Sequence, residues 1–420
     1  MSLRTIIHAD MNNCYASIEM LHHPKLRGHP VAVGGSAEQR HGIILARNYE
    51  ARPFGVKVGQ ALWEARQKCP GLIIVPPDYD KYIRFSRLFR GILSDYSSQV
   101  EAFGIDEAWV DITGVFKNGM DGRAIADEIR ERVKFELGVT VSVGVSYNKI
   151  FAKLGSDIKK PDATTVITEG NYRDVVWPLP AADLLGVGRA TQSKLAKYGI
   201  HTIGDIARCD TRLLQSWFGK WGMHLYAFAN GYDTSPVANA EADHVIKSVG
   251  NSTTCPRDLE NDCDAHIVFQ NLSESVAERM REQGFMAKTV QISLRTNDLL
   301  WFERQMSLPQ PTHVSTDLCN AAMALLRQNW QWKSPLRSIG IRGTNLVPID
   351  QPRQLSIFVD EKKREKAEML EYTIDTIRRR YGHYAIDRAL LLLDDKLGKL
   401  NPKADHTIHP IGYLNGGVLS

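Results

Sequence analysis

Hydrophobic positions along this chain switch repeatedly between strand and helix periods. Residues 4–11 read as a buried strand, Ile6-Ile7-His8-Ala9-Asp10, ending on an acid. The segment from Asn12 to Leu26 opens on small and polar residues and then turns helical, with Tyr15, Ile18, Glu19 and Leu21 at helical spacing. Short strands follow at Pro30–Gly35 and Gly42–Ala46, then a helix at Gln60–Lys68 and a strand at Leu72–Val75. Tyr79–Ser94 is helical. Gln99–Phe103 and Ala108–Ile112 read as a hairpin that turns around Ile105-Asp106. An amphipathic helix over 122–137, an apolar strand at Val139–Val145, a helix at Asn148–Lys159 and a strand at Thr164–Ile167 complete this part. With the 12–77 insert set aside, the order is strand, helix, two strands, helix, strand. That is the βαββαβ ferredoxin-like plan, which lays the first strand beside the central hairpin.

From about residue 168 the pattern becomes short helices punctuated by glycine. Leu185-Gly186-Val187-Gly188-Arg189 leads into Ala190–Tyr198, and Gly199 opens the next helix, a helix–hairpin–helix pattern. Residues 237–246 are polar and irregular and read as a linker. Over 247–348 the expected elements are Ile246–Asn251, Cys263–Gln283, Lys288–Arg295, His313–Gln328 and Ser338–Leu346, a second small α/β domain. Beyond it lie a short apolar peptide, Gln354–Phe358, a highly charged helix at Asp360–Tyr381 and a tail, together 349–420. The whole is an α+β multidomain chain.

Composition narrows the class only a little. A chain of 420 residues suggests two to four domains. No apolar run approaches the roughly 20 residues of a membrane helix, so no membrane partner is expected. The N-terminus has no signal-peptide pattern, and the six scattered cysteines form no C-x-x-C pair, which fits a reducing cytoplasm. A net charge of +4 permits a polyanionic partner without demanding one.

Charge changes the picture at one stretch, Ala102-Phe103-Gly104-Ile105-Asp106-Glu107-Ala108-Trp109-Val110-Asp111. Two adjacent acids in an apolar hairpin are costly without a partner. The ferredoxin-like plan sets Asp10 beside them. Three clustered carboxylates make a hard-oxygen site suited to Mg²⁺ carrying a substrate's phosphates, and a pair of ions there would divide primer hydroxyl and leaving phosphates between them. The competing reading is that Asp106 is a turn residue and Glu107 points to solvent. Tyr49 and Arg52, three residues apart at an expected helix start, and Lys160 before Pro161 are candidate phosphate contacts, or else ordinary surface residues. The Gly186–Gly188 hairpin offers backbone N–H groups at a helix start to a nucleic-acid phosphate, or simply caps that helix. Gln354–Phe358 reads as a docking peptide, or as a strand folding back on its own domain.

Taken together, these motifs resemble the Y-family (DinB/UmuC-type) DNA polymerases of bacteria over residues 1–358. The carriers are His8–Glu19, Ala46–Val56, Gly104–Ala108, Gly144–Lys149 with Ala152–Leu154, Lys160-Pro161 and Gly186–Gly188. The resemblance implies a right-hand architecture. Residues 1–11 and 78–167 would be the palm, 12–77 small fingers, 168–236 a helix–hairpin–helix thumb and 247–348 a little finger. It implies Asp10, Asp106 and Glu107 as catalytic metal ligands for two Mg²⁺ ions, with the Met11 carbonyl as a further ligand. It implies Tyr15 as a steric gate and Tyr49, Arg52 and Lys160 as triphosphate contacts. Gly186, Gly188 and Arg189 would meet DNA, and Gln354, Leu355, Ile357 and Phe358 a sliding clamp. Asn12 stands where many relatives carry aspartate, Gly104 where serine is usual and Ala46 where a hydroxyl residue is common.

The implied activity is nucleotidyl transfer from dNTP to a primer 3′-OH on a DNA template, past damaged bases and with low fidelity, by a monomer. The short fingers insert offers little shape selection of the nascent pair. A non-catalytic clamp-bound scaffold and a nucleotidyl cyclase-like enzyme on the same palm are the alternatives.

Overall fold

The computed structural model describes residues 4–36, 40, 42–115, 121–240, 246–352 and 360–405. They form two compact units, one built on 4–35 and 43–240 and the other mainly on 246–405.

The first unit runs β1 (Ile6–Met11), α1 (Cys14–His22), β2 (Val31–Gly34), β3 (Ile44–Arg47), α2 (Leu62–Lys68), β4 (Ile73–Val75), α3 (Tyr79–Ser94), β5 (Val100–Ala102), β6 (Glu107–Asp111), α4 (Gly122–Arg132), β7 (Val141–Ser146), α5 (Lys149–Ile158) and β8 (Thr164–Ile167). Its main sheet has the order β5-β6-β1-β7-β8. Every neighbouring pair is antiparallel except β7 and β8, which α5 joins in parallel. This is the ferredoxin-like arrangement with one added strand. Both faces of β1 are covered, so all six of its residues are buried. Ile7, Ala9 and Met11 pack with α3 and α4 on one face, while Ile6 joins Trp109, α5 and the helical segment beyond on the other.

Helix α5 lies tight against β7. A Cβ on Gly144 would sit 1.9 Å from the Ala152 carbonyl oxygen, so only glycine permits this approach. The insert forms a three-stranded sheet, β3-β2-β4, over its own small core. Helix α1, grouped with that insert in the sequence reading, instead buries Cys14 and Ile18 in the core of the main sheet. The helix expected at Tyr49–Arg52 is a series of turns, and Arg52 N bonds to the Tyr49 carbonyl. Pro53 and Gly55 leave no room for a further helical turn.

Past β8 come α6 (Tyr172–Val175), α7 (Arg189–Lys197), α8 (Ile203–Arg208), α9 (Thr211–Phe218) and α10 (Lys220–Ala229). Gly199 takes φ +73 between α7 and α8, and Thr202 with Asp205 forms a capping box at the start of α8. The first residues of the expected linker are tied to the main sheet. Gln99 donates to the Val237 carbonyl, and the Ala240 N–H to that of Ser98.

The second unit is a sheet of order β11-β10-β12-β9, with β9 Ser248–Leu259, β10 Phe285–Thr296, β11 Trp301–Thr312 and β12 Leu336–Pro348. Helices α11 (Asp262–Glu282) and α12 (Ser315–Asn329) share its core. The sequence reading missed β11. It is an edge strand carrying Pro309 and Pro311, which an edge tolerates and a central strand does not. The charged helix α13 (Glu361–Tyr381) is where it was expected. The segment beyond it, expected as a tail, packs on this unit, with Leu391 and Leu397 in the core. The candidate clamp residues Gln354, Leu355, Ile357 and Phe358 lie outside the described residues.

Candidate active site

Strand alternation decides which side chains meet. Ala108 and Val110 face the α3–α4 core, so Glu107 and Trp109 face α5. In register, Asp10 pairs with Glu107 and His8 with Trp109. Asp10 and Glu107 therefore stand side by side on one face at one end of the sheet. The Met11 N–H donates to the Asp106 carbonyl at 3.0 Å, which draws the hairpin turn against the end of β1. That turn needs Gly104 at φ +98, a left-handed conformation in which serine would be strained.

The acids are held unequally. Asp10 is 7% exposed, and its carboxylate accepts from Lys160 Nζ at 2.7 Å. Lys160 also reaches Asp157 Oδ1 at 2.8 Å. Glu107 accepts from Lys153 and faces His8 Nε2 at 3.3 Å. Burial, with the Glu107 charge beside it, pushes the Asp10 carboxyl well above the usual range. The same two causes push Asp106 up to about 6. For Glu107, burial acts upward but is outweighed by the His8 and Lys153 contacts, which hold it low. His8 is fully buried, and burial drives its imidazole down to about 4.

Among the described residues no three His, Cys, Asp or Glu side chains close on a single point as in a pre-formed metal site. The backbone brings the acids together as expected, but Asp10 and Glu107 are turned onto ammonium groups. The donor set still fits a hard divalent cation. It is all oxygen, and two of its members are carboxyls whose ionisation burial and mutual repulsion oppose. A cation is what would relieve both.

Tyr15 sits five residues past Asp10, on α1. Its ring stacks on Tyr82 at 4.2 Å between centroids with an 8° tilt, and meets Tyr79 edge-on at 6.1 Å. The Tyr82 hydroxyl donates to the buried Glu19, which also pairs with Lys81. Tyr15 is thus a half-buried, braced ring. Its phenol is raised by burial and then by the Asp106 charge, which places it beside the acids.

The turn after β3 brings Tyr49 and Arg52 to the same end. The Arg52 guanidinium lies 4.0 Å from the Tyr49 ring centre and donates to Asn13 Oδ1 at 2.8 Å. Burial raises the Tyr49 phenol, while the Arg52 and Lys160 charges oppose it. Two neighbours escaped the sequence reading. Asn13 Nδ2 and the Nε and Nη1 of Arg47 are buried with no hydrogen-bond partner among the described residues. Arg47 is chemically close to Arg52, whose charge adds to burial in lowering its guanidinium. Lys153 and His8 were also missed as site residues. The i,i+4 stripe Lys149, Lys153, Asp157 on α5 was the available signal for Lys153.

Gly186 and Gly188 line an open groove of about 430 Å³ together with Lys153 and Asp157 of α5. Gly186 has φ +89, and a Cβ there would strike Trp221 at 2.3 Å, so its own packing already requires glycine. Gly188 caps α7 through its backbone alone, and nothing lies within 4 Å of where its Cβ would be. Arg189 is the first residue of α7.

Comparison with known proteins fits this geometry. Residues 9–157 match the model of the impB/mucB/samB family, and 246–357 match the model of its C-terminal domain. Residues 182–233 match the model described as the thumb domain of DNA polymerase-iota. The chain is 49% identical over 397 residues to DNA polymerase IV of Acetivibrio thermocellus, covering 94% of this chain and 100% of that one. It is 37% identical over 392 residues to DNA polymerase IV 1 of Bacillus subtilis, covering 93% of each. Among solved structures it is similar to a Y-family DNA polymerase chimera, Dbh-Dpo4(243-245)-Dbh. The TM-score is 0.72 at 24% identity, over 82% of this chain and 99% of that one, a likeness of fold. These matches carry the fold of a Y-family polymerase, with a thumb-domain match over 182–233, and the chain belongs to the impB/mucB/samB family, the Y-family DNA polymerases.

Proposed function

We propose that this DNA polymerase extends primer-template DNA past damaged bases, with Asp10, Asp106 and Glu107 as its catalytic carboxylates. The observation that carries the reading is the register of Asp10 against Glu107 with the Asp106 turn tied to Met11. It collects three acids at one sheet end, facing two lysines. These acids, with the Met11 carbonyl, would hold two Mg²⁺ ions. Bound there, Mg²⁺ supplies charge neutralisation of the triphosphate and acidification of the primer hydroxyl.

The chain's own residues supply the rest. Lys160, released from Asp10 as a cation replaces it, Arg52 and Tyr49 bind the dNTP triphosphate by charge-assisted hydrogen bonds. Support comes from the unpartnered donors of Asn13 and Arg47 beside them, which suit an anion. Tyr15, braced by Tyr82, occupies the space of a ribose 2′-OH. Gly188 and Arg189 at the start of α7, with the neighbouring Gly186 turn, take a DNA phosphate. The small fingers core gives little purchase on the shape of the nascent base pair, so fidelity is low. Gln354, Leu355, Ile357 and Phe358 dock the sliding clamp. The enzyme works as a monomer in the cytoplasm, which its six free cysteines suit.

A primer-extension assay tests the core of this reading. Asp106→Ala abolishes extension of a primed template while leaving primer-template affinity within about threefold, since loss of a transition-state contact lowers kcat rather than binding. Extension at wild-type rate by that variant would remove Asp106 from the site.

A further inference from the structure

Asn12 follows β1 at the edge of the acidic cluster and is 2% exposed. Its amide is well satisfied. Nδ2 donates to Ser142 Oγ at 2.9 Å, and Oδ1 accepts from Thr140 Oγ1 at 3.0 Å and from the Asp162 backbone N–H at 2.9 Å. The first two bonds go to the β7 side, which the Asn12 N–H already engages through the Thr140 carbonyl. The third crosses to a different element, the loop between α5 and β8. That loop carries Lys160.

Asp162 is held on its other side as well. Arg130 Nη2 donates to Asp162 Oδ1 at 2.8 Å and to its carbonyl at 2.6 Å, and Lys134 Nζ reaches Oδ2 at 3.2 Å. Asp162 adopts φ +52, a left-handed conformation uncommon outside glycine though better tolerated by aspartate, and here it is held from two sides. The α4 side holds it through charge and the end of β1 through Asn12. Lysine is long and flexible, so the reach of its ammonium depends on where its backbone is fixed. Two residues before Asp162, Lys160 Nζ sits between Asp10 and Asp157.

We propose that Asn12 is a positioning residue for Lys160: its side-chain oxygen clasps the Asp162 N–H and fixes the loop from which Lys160 reaches the triphosphate of the incoming nucleotide. This rests on the reading of Lys160 as a triphosphate contact. An amide suits the task. A carboxylate would keep the acceptor oxygen but bury another negative charge two residues from Asp10.

Steady-state single-nucleotide insertion tests the clasp. The proteins compared are wild type, Asn12→Ala, Lys160→Ala, the double variant, Asn12→Asp and Thr140→Val, each checked by thermal melting. Asn12→Ala raises the dNTP KM about tenfold with a smaller change in kcat, and adds little once Lys160 is already alanine. Asn12→Asp, which keeps the acceptor, restores most of the lost affinity. Thr140→Val cuts a bond of the same amide that does not touch the loop, and leaves the dNTP KM unchanged even where it lowers Tm.

Overturning results are equally definite. If Lys160→Ala raises KM but Asn12→Ala does not, or the two effects simply multiply, the clasp is wrong and the Lys160 reading stands. If Thr140→Val raises KM as much as Asn12→Ala, the effect is general loosening and the clasp is again wrong. If Lys160→Ala leaves KM unchanged, the triphosphate reading of Lys160 fails and the clasp with it. Should Asn12→Ala not fold, Asn12→Leu, which keeps side-chain bulk and removes the acceptor, takes its place: a dNTP KM raised about tenfold supports the proposal, and a wild-type KM overturns it.

Discussion

Asp106 is buried next to Glu107, and the energetic consequence depends on pH. Its carboxyl titrates at about 6 in the folded chain, against about 4 when unfolded. The folded state therefore binds more protons between those values. This residue's contribution to stability is greatest at low pH and is lost as pH rises through about 6. Asp10 is shifted in the same direction. In the proposed site both acids would have to ionise to hold Mg²⁺. We expect the gain in Tm on adding Mg²⁺ to be larger at pH 8 than at pH 5.5, and Asp106→Asn to abolish most of that difference. Equal Mg²⁺ shifts at the two pH values would argue against a cation at these acids. Tyr15 gives a second expectation at this scale. Tyr15→Ala removes a ring held rigid by Tyr82, and should raise ribonucleotide incorporation relative to dNTP by about a hundredfold or more, read as the ratio of kcat/KM values. Unaltered discrimination would mean that the gate is elsewhere. Asp10, Asp106 and Glu107 were legible in the sequence because charge in an apolar strand stands out locally, whereas Tyr15 was singled out only through the family resemblance. Asn13, Arg47 and His8 were not legible, because their burial is set by the fold and not by their neighbours in sequence, and Lys153 offered only the i,i+4 stripe on α5.

At the scale of elements, period-2 alternation in β1 and β6 does most of the positioning. It turns Asp10, His8, Glu107 and Trp109 to one face and the aliphatic residues to the other. Helix α5, which brings Lys153 over that face, can approach only because Gly144 has no side chain. Gly144→Ala would force a methyl group against the Ala152 carbonyl. Overpacking costs about 1–3 kcal/mol, and here the obstacle is backbone, so the upper end or more is expected as a fall in Tm together with lost primer extension. A variant that melts like wild type would show that α5 can shift freely. The long helices and buried strands matched their sequence patterns, since their apolar periods are strong. Two elements did not. β11 is an edge strand, half exposed and carrying prolines, so its pattern is weak. The Tyr49–Arg52 stretch has helical spacing, but Pro53 and Gly55 turn the chain.

At the scale of the molecule, the C-terminal segment is part of the second unit. Arg281 on α11 is buried against Asp375 at 2.6 Å and Glu371 at 3.0 Å of α13, while Arg378 and Arg388 pair with Glu274. Removing one side of a buried ion pair costs about 3–5 kcal/mol. A chain ending at Asp360 leaves Arg281 and Glu274 unpaired and uncovers the core around Leu391 and Leu397. We expect that truncation to destabilise the second unit by several kcal/mol, read as a lower Tm or increased proteolysis. Deleting only Gln354–Phe358 should preserve the melt and short-primer extension while weakening capture by the sliding clamp. Wild-type melting of the truncated chain would show α13 to be dispensable.

The sequence by itself determined the ferredoxin-like order of elements and the three candidate acids, while Tyr15 as a gate came only from the family resemblance. Local period and misplaced charge are properties of neighbours along the chain, and they survive without a fold. Only the tertiary structure decided that Asp10 and Glu107 share a register, that Lys160 and Lys153 meet them, and that Asn12 reaches Asp162. These contacts join residues about 50 to 150 positions apart, and closing such loops is set by the packing of whole elements rather than by any signal in the residues between.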